Sequence, residues 1–125
     1  MFRSLILAAV VIAAPASAAQ HLPFERTAFE AAKAAGKPVL VDVNATWCPV
    51  CASQGRTIKA AVTAPKYRDL IIFSIDYDKQ KAEWKRLGAQ KQSTLIGYRG
   101  GREVGRVVYT TDKAAINALL ANTVR

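Results

Sequence analysis

The motif Trp47-Cys48-Pro49-Val50-Cys51 contains both cysteines of this 125-residue chain, three positions apart. At this spacing the two thiols can close a small disulfide ring if Cys48 stands at the start of a helix and Cys51 lies one turn further on. A structural disulfide stabilises mainly by closing a long loop of the unfolded chain, so a ring this short adds little stability. The motif therefore predicts a redox centre rather than a structural crosslink.

The expected position of Cys48 makes it the better nucleophile of the pair. At a helix N-terminus, unpaired backbone N–H groups and the positive end of the helix dipole favour a thiolate. We therefore expect the pKa of Cys48 to lie below the ~8.5 of a free thiol, and Cys48 to attack a substrate disulfide. Cys51 should be buried and protonated until it resolves the mixed disulfide. Pro49 suits the first helical turn, because the N–H that proline lacks would have no partner there.

The composition predicts one globular domain with an excess of positive charge on its surface. Hydrophobic residues make up 51% of the chain and charged residues 22%, which suits a folded domain with a core. The formal net charge is +9, but the basic residues are scattered and no five like charges follow one another. Scattered charge is typical of a solvated surface, and we therefore expect no nucleic acid partner.

Residues 1–19 have the pattern of a secretory signal peptide. Arg3 precedes an apolar run over residues 5–14, and residues 15–18, Pro-Ala-Ser-Ala, offer the small side chains that signal peptidase accepts. Cleavage near the end of this segment would leave a domain of residues 20–125. The alternative is an uncleaved membrane anchor, although the run is shorter than the ~20 residues of a spanning helix. Export would place the cysteines in an oxidising compartment, where a reduced thiol pair needs a supplier of electrons.

Hydrophobic periodicity and turn residues predict alternating helices and strands after a short mobile lead of residues 20–22. A hairpin is expected around Gly100-Gly101, because glycine tolerates the positive φ of tight turns. The order α-β-α-β-α-β-β-α indicates an α/β fold with a mixed central sheet, flanking helices, and a C-terminal hairpin and helix. The predicted helices are 23–35, 48–62, 79–87 and one from 111 onwards, and the predicted strands are 39–43, 70–76, 95–99 and 103–108.

Asp42 is the one acidic residue in the first predicted strand, Val39 to Val43. The β-branched run around it indicates a strand buried on both faces, as in the centre of a helix-covered sheet. A charged carboxylate without a partner is unfavourable in such surroundings. We therefore expect Asp42 either to be neutral at neutral pH or to have a functional role.

The region after residue 20 resembles the thioredoxin superfamily over nearly its whole length. The block Val39-Leu40-Val41-Asp42, followed six residues later by Cys48, is similar to the active-site block of that family. Trp47 before the first cysteine and Cys51 after it fit the same pattern, and so does the later order of helices and strands. The resemblance implies a thioredoxin-like fold and a thiol:disulfide oxidoreductase with the Cys48–Cys51 disulfide as its redox group and no other cofactor.

The resemblance also implies roles for the residues around the cysteines. In the family, the acid at the position of Asp42 lies behind the second cysteine and takes its proton through water. The alternative is a hydrogen-bonded core aspartate with no catalytic part. Trp47 would form a shoulder of the site, and the dipeptide between the cysteines would tune the stability of the thiolate. Substrate contacts are expected at Trp47, Pro49, Val50, Ser93 and Thr94.

Ser93 stands where the family has a cis-proline that packs against the sulfurs and helps to dock the substrate strand. A cis bond before a residue other than proline costs ~2.5–4 kcal/mol. We therefore expect the Gln92-Ser93 bond to be trans, or else cis and strained. In either form Ser93 would place a small hydroxyl beside Cys48, which would either open the site to a metal ion or weaken peptide docking.

The preferred interpretation is a periplasmic, monomeric oxidoreductase that passes electrons from a membrane donor protein to disulfides of exported proteins. The segment Lys37 to Asp42 and the alanine-rich helix before it are similar to the carboxy-terminal thioredoxin domain of the inner-membrane disulfide reductase, which favours the reducing direction. The alternatives are a thiol oxidase, an isomerase, or a module that binds copper(I) through Cys48 and Cys51. We predict no resident metal, because a closed zinc site needs four ligands and the chain adds only His21 to its cysteines.

Overall fold

The computed structural model describes residues 9–11 and 18–125. Most of the signal peptide predicted for residues 1–19 therefore lies outside the described residues and stays a prediction. Among the described residues, no helix has the length and apolar character that crossing a membrane requires.

A five-stranded mixed sheet forms the centre of the fold, with strand order β1-β3-β2-β4-β5. The first three strands are parallel to one another, β4 runs antiparallel to β2, and β5 runs antiparallel to β4. The central strand β2 is buried on both faces, as predicted. The strands are β1 Gln20–Pro23, β2 Val39–Asn44, β3 Ile71–Asp76, β4 Thr94–Arg99 and β5 Arg102–Val108.

Within residues 18–125, four α-helices cover the two faces of the sheet, and all four were predicted. On one face, Phe29 of the first helix and Trp84 of the third pack with Val39 and Val41 of β2. On the other face, the second and fourth helices bury Leu40 beneath Ile58 and Ile116, among other residues. The helices are α1 Arg26–Ala34, α2 Pro49–Ala61, α3 Lys81–Arg86 and α4 Lys113–Thr123, with a 3-10 turn at Pro65–Tyr67.

The prediction of a mobile lead at residues 20–22 was wrong, because these residues form the parallel edge strand β1. Gln20 pairs with Ile71 of β3, and the Phe24 N–H donates to Ser74 O at 2.8 Å. All four residues of β1 are exposed, so no alternation of apolar and polar side chains marks them as a strand. The helix predicted from residue 23 begins later, because the Glu25 carboxylate caps it by accepting two backbone N–H bonds.

The predicted hairpin is present between β4 and β5, and its turn explains both glycines. Gly100 and Gly101 have φ values of +59° and +79°, in the left-handed region that favours glycine. Gly97, further back in β4, has a different purpose. A Cβ at this position would overlap Thr123 Oγ1 and lie 3.2 Å from Leu119 Cδ1. The absence of a side chain at Gly97 therefore lets α4 lie close against the sheet.

We expect Gly97→Ala to lower the free energy of unfolding by about 1–3 kcal/mol, because extra atoms in a packed core force their neighbours to shift. Urea unfolding followed by circular dichroism measures the change. Gly55→Ala in α2 is the matched control, since a Cβ there meets no atom within 4 Å. Alanine is the better helix former, so this control should unfold no more easily than the wild type. Equal destabilisation by both substitutions would contradict the packing argument.

Candidate active site

The chain passes from the buried strand β2 through a short loop into α2, and Cys48 is the N-cap of that helix. Its Sγ accepts a hydrogen bond from the Cys51 N–H at 3.2 Å. Pro49 occupies the first helical turn, where its missing N–H costs nothing. The local geometry thus agrees with the sequence prediction, because an N–H group of the first turn, which has no partner within the helix, donates to the sulfur.

Both cysteines are free thiols, and each is only 3% exposed. Burial opposes ionisation of Cys48, but hydrogen bonds with Ser93 Oγ and with the thiol and N–H of Cys51 outweigh it and lower the pKa of Cys48 below its usual value. Burial raises the pKa of Cys51 above its usual value. The two pKa shifts have the predicted directions, so Cys48 ionises more readily than Cys51.

Ser93 lies between the two sulfurs with its peptide bonds in the trans form, since no cis peptide bond occurs among the described residues. Its hydroxyl oxygen is 3.3 Å from Cys48 Sγ and 2.9 Å from Cys51 Sγ. The residue is fully buried and has a φ of +62°, in the left-handed region that non-glycine residues seldom adopt. The backbone of Ser93 is therefore strained, and neighbouring groups must hold it in place.

Three hydrogen bonds hold the Ser93 backbone. Its N–H donates to Val43 O at 2.8 Å, and its carbonyl accepts from the Tyr109 N–H at 2.8 Å. Gln54 Nε2 donates to the same carbonyl and to Thr110 O, at 3.0 Å each. Gln54 is fully buried, one helical turn beyond Cys51. Sequence reasoning missed Gln54, although an amide on the buried face of α2 indicates that a buried polar group nearby accepts a hydrogen bond from it.

Asp42 lies in β2 on the same face of the sheet as Leu40, which is the face that α2 covers. Its side chain is buried, and desolvation raises the pKa of Asp42 to about 7. Its Oδ1 atom is buried without a hydrogen-bond partner among the described residues. An unpartnered oxygen does not suit the alternative of a hydrogen-bonded core aspartate, and a pKa near 7 leaves the carboxyl able to exchange a proton at neutral pH.

The remaining predicted substrate contacts have different environments. Trp47 is 58% exposed, and its Nε1 donates to Asp78 Oδ2 at 2.8 Å, which fixes the ring beside the cysteines. Pro49 is exposed, while Val50 is half-buried against the cysteine pair. The Thr94 side chain is buried, and its hydroxyl donates to Lys91 O at 2.8 Å. Trp47 and Pro49 are thus accessible to a partner, whereas the Thr94 hydroxyl is already engaged.

No group of three or more histidine, cysteine, aspartate or glutamate side chains within residues 9–11 and 18–125 is arranged to hold a metal ion. His21, the candidate additional ligand considered for zinc, lies in the edge strand β1. The strand β3 separates β1 from β2, whose end leads to the cysteines. The sulfurs therefore have Ser93, rather than the histidine, as their polar neighbour.

Replacing Asp42 by asparagine should change how stability depends on pH. Because the pKa of about 7 in the folded protein exceeds the ordinary value of about 4, the folded state binds the proton more tightly, and the unfolding free energy falls as pH rises from about 4 to 7. Asparagine does not titrate. We expect the stability of Asp42→Asn relative to wild type to increase by roughly 2–3 kcal/mol between pH 5 and pH 7.5.

Urea unfolding of the reduced protein at the two pH values measures this difference. Asp69→Asn is the matched control, because Asp69 is exposed and its substitution should produce no comparable change. A stability difference between Asp42→Asn and wild type that stays constant from pH 5 to pH 7.5 would contradict the raised pKa of Asp42.

Comparison with known proteins agrees with this geometry. A sequence model of the family described as Thioredoxin matches residues 20–122. The chain is 34% identical over 95 residues to Thioredoxin-2 of Saccharomyces cerevisiae, covering 75% of this chain and 89% of that protein. It is 27% identical over 131 residues to protein disulfide-isomerase erp38 of Neurospora crassa, covering 94% of this chain and 36% of that protein.

A similar solved structure is that of Trxlp from Edwardsiella tarda EIB202. It matches with a TM-score of 0.77 and 42% sequence identity, and the match covers 81% of this chain and 98% of that one. These relatives agree with the five-stranded sheet and with the Cys-x-x-Cys pair at the start of α2. The chain belongs to the thioredoxin family and is a thiol:disulfide oxidoreductase with a Cys-x-x-Cys motif at Cys48 and Cys51.

Proposed function

We propose that this protein reduces disulfides of exported proteins in the periplasm, with Cys48 as the attacking thiolate and Cys51 as the resolving thiol. The observation that carries the proposal is the asymmetry of the pair. Cys48 Sγ accepts the Cys51 N–H at the start of α2 and has a lowered pKa, whereas burial raises the pKa of Cys51. One sulfur is thus ready to attack while the other keeps its proton.

In the proposed reaction, the Cys48 thiolate attacks one sulfur of a substrate disulfide. The substrate S–S bond breaks, a mixed disulfide forms on Cys48, and the released substrate thiolate takes a proton from water. Cys51 then loses its proton and attacks Cys48 Sγ, so that the Cys48–Cys51 bond forms and the second substrate thiolate leaves. Two electrons pass to the substrate, and a membrane donor protein reduces the resulting disulfide again.

Asp42 is the proposed acceptor of the Cys51 proton, through a water molecule. Its side chain belongs to the face of the sheet that α2 covers, and one of its oxygens has no hydrogen-bond partner among the described residues. A pKa of about 7 brings this carboxyl nearer to the pKa of a thiol than an ordinary aspartate would be, which makes proton transfer more efficient. Trp47 and Pro49 supply exposed surface beside the sulfurs for the substrate chain.

The reducing direction is proposed from the dipeptide between the cysteines. Pro49-Val50 contains no histidine that would further stabilise the Cys48 thiolate. A less stabilised dithiol form gives a lower reduction potential, and hence a better reductant. The opposite direction, that of an oxidase or isomerase, would require a dithiol that is much more stable than its disulfide.

The export proposal rests on residues 1–19, with their apolar run and small residues before the domain. Gln20 is the first residue of β1, so a cut after residue 19 would leave all five strands in the mature chain. In an oxidising compartment such a protein would meet substrates that carry disulfides. An electron donor in the membrane would then be its natural partner.

The first test is the reduction potential of the Cys48–Cys51 pair, measured by equilibrating the protein with dithiothreitol or glutathione buffers. We expect a value near roughly −270 mV, together with reduction of insulin disulfides. Cys51→Ser should accumulate a mixed disulfide with a protein substrate, because no second thiol resolves it. Cys48→Ser is the matched control and should form none.

Two results would contradict the proposed function. A potential near roughly −120 mV would make the protein an oxidant of newly exported thiols. Titration of the reduced protein with copper(I) tests the other alternative, since two thiolates suit this soft ion and both sulfurs lie together in a buried cluster. A tight stoichiometric complex at Cys48 and Cys51, with no reduction of disulfides, would favour a copper-binding module.

Export is tested by expressing the full chain in a Gram-negative host and sequencing the N-terminus of the protein from the periplasm. We expect the recovered chain to begin near Gln20. Val11→Asp should keep the chain uncleaved in the cytoplasm, because a charge interrupts the apolar run. Recovery of the intact chain in the membrane fraction would instead support the uncleaved anchor.

A further inference from the structure

The Ser93 hydroxyl is the one side-chain group, among the described residues, that has a hydrogen-bonding contact with both sulfurs. Its oxygen lies 3.3 Å from Cys48 Sγ and 2.9 Å from Cys51 Sγ. A serine hydroxyl has a single proton, which can be donated to only one acceptor at a time, and it rotates to suit its neighbours. Ser93 can therefore donate to either sulfur without moving its backbone.

The position of this hydroxyl is held by several contacts outside the cysteine pair. The left-handed φ of +62° is unfavourable for serine, so the conformation persists only because the surroundings hold it. Val43 O and the Tyr109 N–H bind the two ends of the residue. Gln54 adds a bond from its buried amide to the same carbonyl, and another to Thr110 O. The hydroxyl is thus fixed beside the sulfurs before any substrate arrives.

We propose that Ser93 is a catalytic residue whose hydroxyl stabilises two thiolates in turn, first that of Cys48 and then that of Cys51. The proposal rests on the attacking and resolving roles proposed above for the two cysteines. In the dithiol form the hydroxyl donates to the Cys48 thiolate. Once Cys48 is part of a mixed disulfide, its sulfur is neutral and a poor acceptor, and the hydroxyl turns to the Cys51 thiolate as that forms.

The serine itself neither gains nor loses a proton in this sequence. The Cys51 proton leaves to the proposed base, the Cys51 sulfur attacks Cys48, and Ser93 keeps its own proton throughout. The contribution of Ser93 is electrostatic: a neutral donor in a buried site stabilises charge more strongly than the same donor in water would. Gln54 acts only through Ser93, as a positioning residue.

Thiolate absorbance near 240 nm against pH tests the proposal in proteins that have one cysteine. In the Cys51→Ala background it measures the pKa of Cys48, and in the Cys48→Ala background that of Cys51. We expect Ser93→Ala to raise both pKa values by about one to two pH units, which is the size of a hydrogen bond to a charged group. Failure of either sulfur to shift would overturn the proposal.

Three further variants separate the hydroxyl from the fold. Ser93→Gly also lacks the hydroxyl but adopts a φ of +62° without strain, so it should give the same shifts in a stable protein. Ser53→Ala in α2 removes a hydroxyl that has no hydrogen bond to either sulfur among the described contacts, and it should leave both pKa values unchanged. Gln54→Met should produce smaller shifts in the same direction at both sulfurs; unchanged values would overturn its positioning role.

These titrations need no substrate, which separates the two proposals. A protein that fails to reduce insulin while Ser93→Ala still shifts both thiols would contradict the proposed function and support the role of Ser93. An active protein whose thiol pKa values do not respond to Ser93→Ala and Ser93→Gly would support the proposed function and contradict the role of Ser93. If both proposals hold, Ser93→Ala should also slow resolution of the mixed disulfide by Cys51 under stopped-flow conditions.

Discussion

The hydrogen bond from the Ser93 N–H to Val43 O, 2.8 Å long, connects the two segments from which the site is built. Val43 is near the end of the central strand β2, and the chain continues from there into the loop that carries Cys48. Ser93 directly precedes β4, the antiparallel neighbour of β2. The Val43 carbonyl also lies 3.9 Å from Cys51 Sγ. The pairing of β2 with β4 therefore decides where the serine hydroxyl meets the sulfurs.

The site concentrates features that are unfavourable for folding. Within the part of the chain that the structure describes, Asp42 Oδ1 and Gln54 Oε1 are buried without a hydrogen-bond partner. Ser93 and Tyr109 have positive φ values. Burial of the apolar clusters on both faces of the sheet stabilises the fold and offsets the unfavourable free energy of these groups. Such exceptions to ordinary packing are expected where a protein performs chemistry, because burial and specific hydrogen bonds are what shift the pKa values of its reacting groups.

Sequence periodicity and turn residues were sufficient to predict the four helices, strands β2 to β5 and the hairpin at Gly100-Gly101. Helix ends differ by a few residues from the prediction because single caps decide them, as Glu25 does for α1. Strand β1 was missed because its four side chains are exposed, so its pairing with β3 leaves no hydrophobic pattern. Gln54 was missed because its two acceptors, Ser93 O and Thr110 O, are distant in the chain.

The sequence by itself determined an α/β fold with a mixed sheet, the Cys48–Cys51 pair and the asymmetry of its two thiols, because these follow from local patterns and from the start of one helix. The thioredoxin-like identity of the fold came from the resemblance of its motifs to that family. Only the tertiary structure decided that the Gln92-Ser93 peptide bond is trans and that the Ser93 hydroxyl lies against both sulfurs. It also decided that Gln54 supports that position. The physical reason is that neighbours in the chain set helix and strand propensity, whereas contacts between distant segments depend on strand register and on the packing of α2 against the sheet.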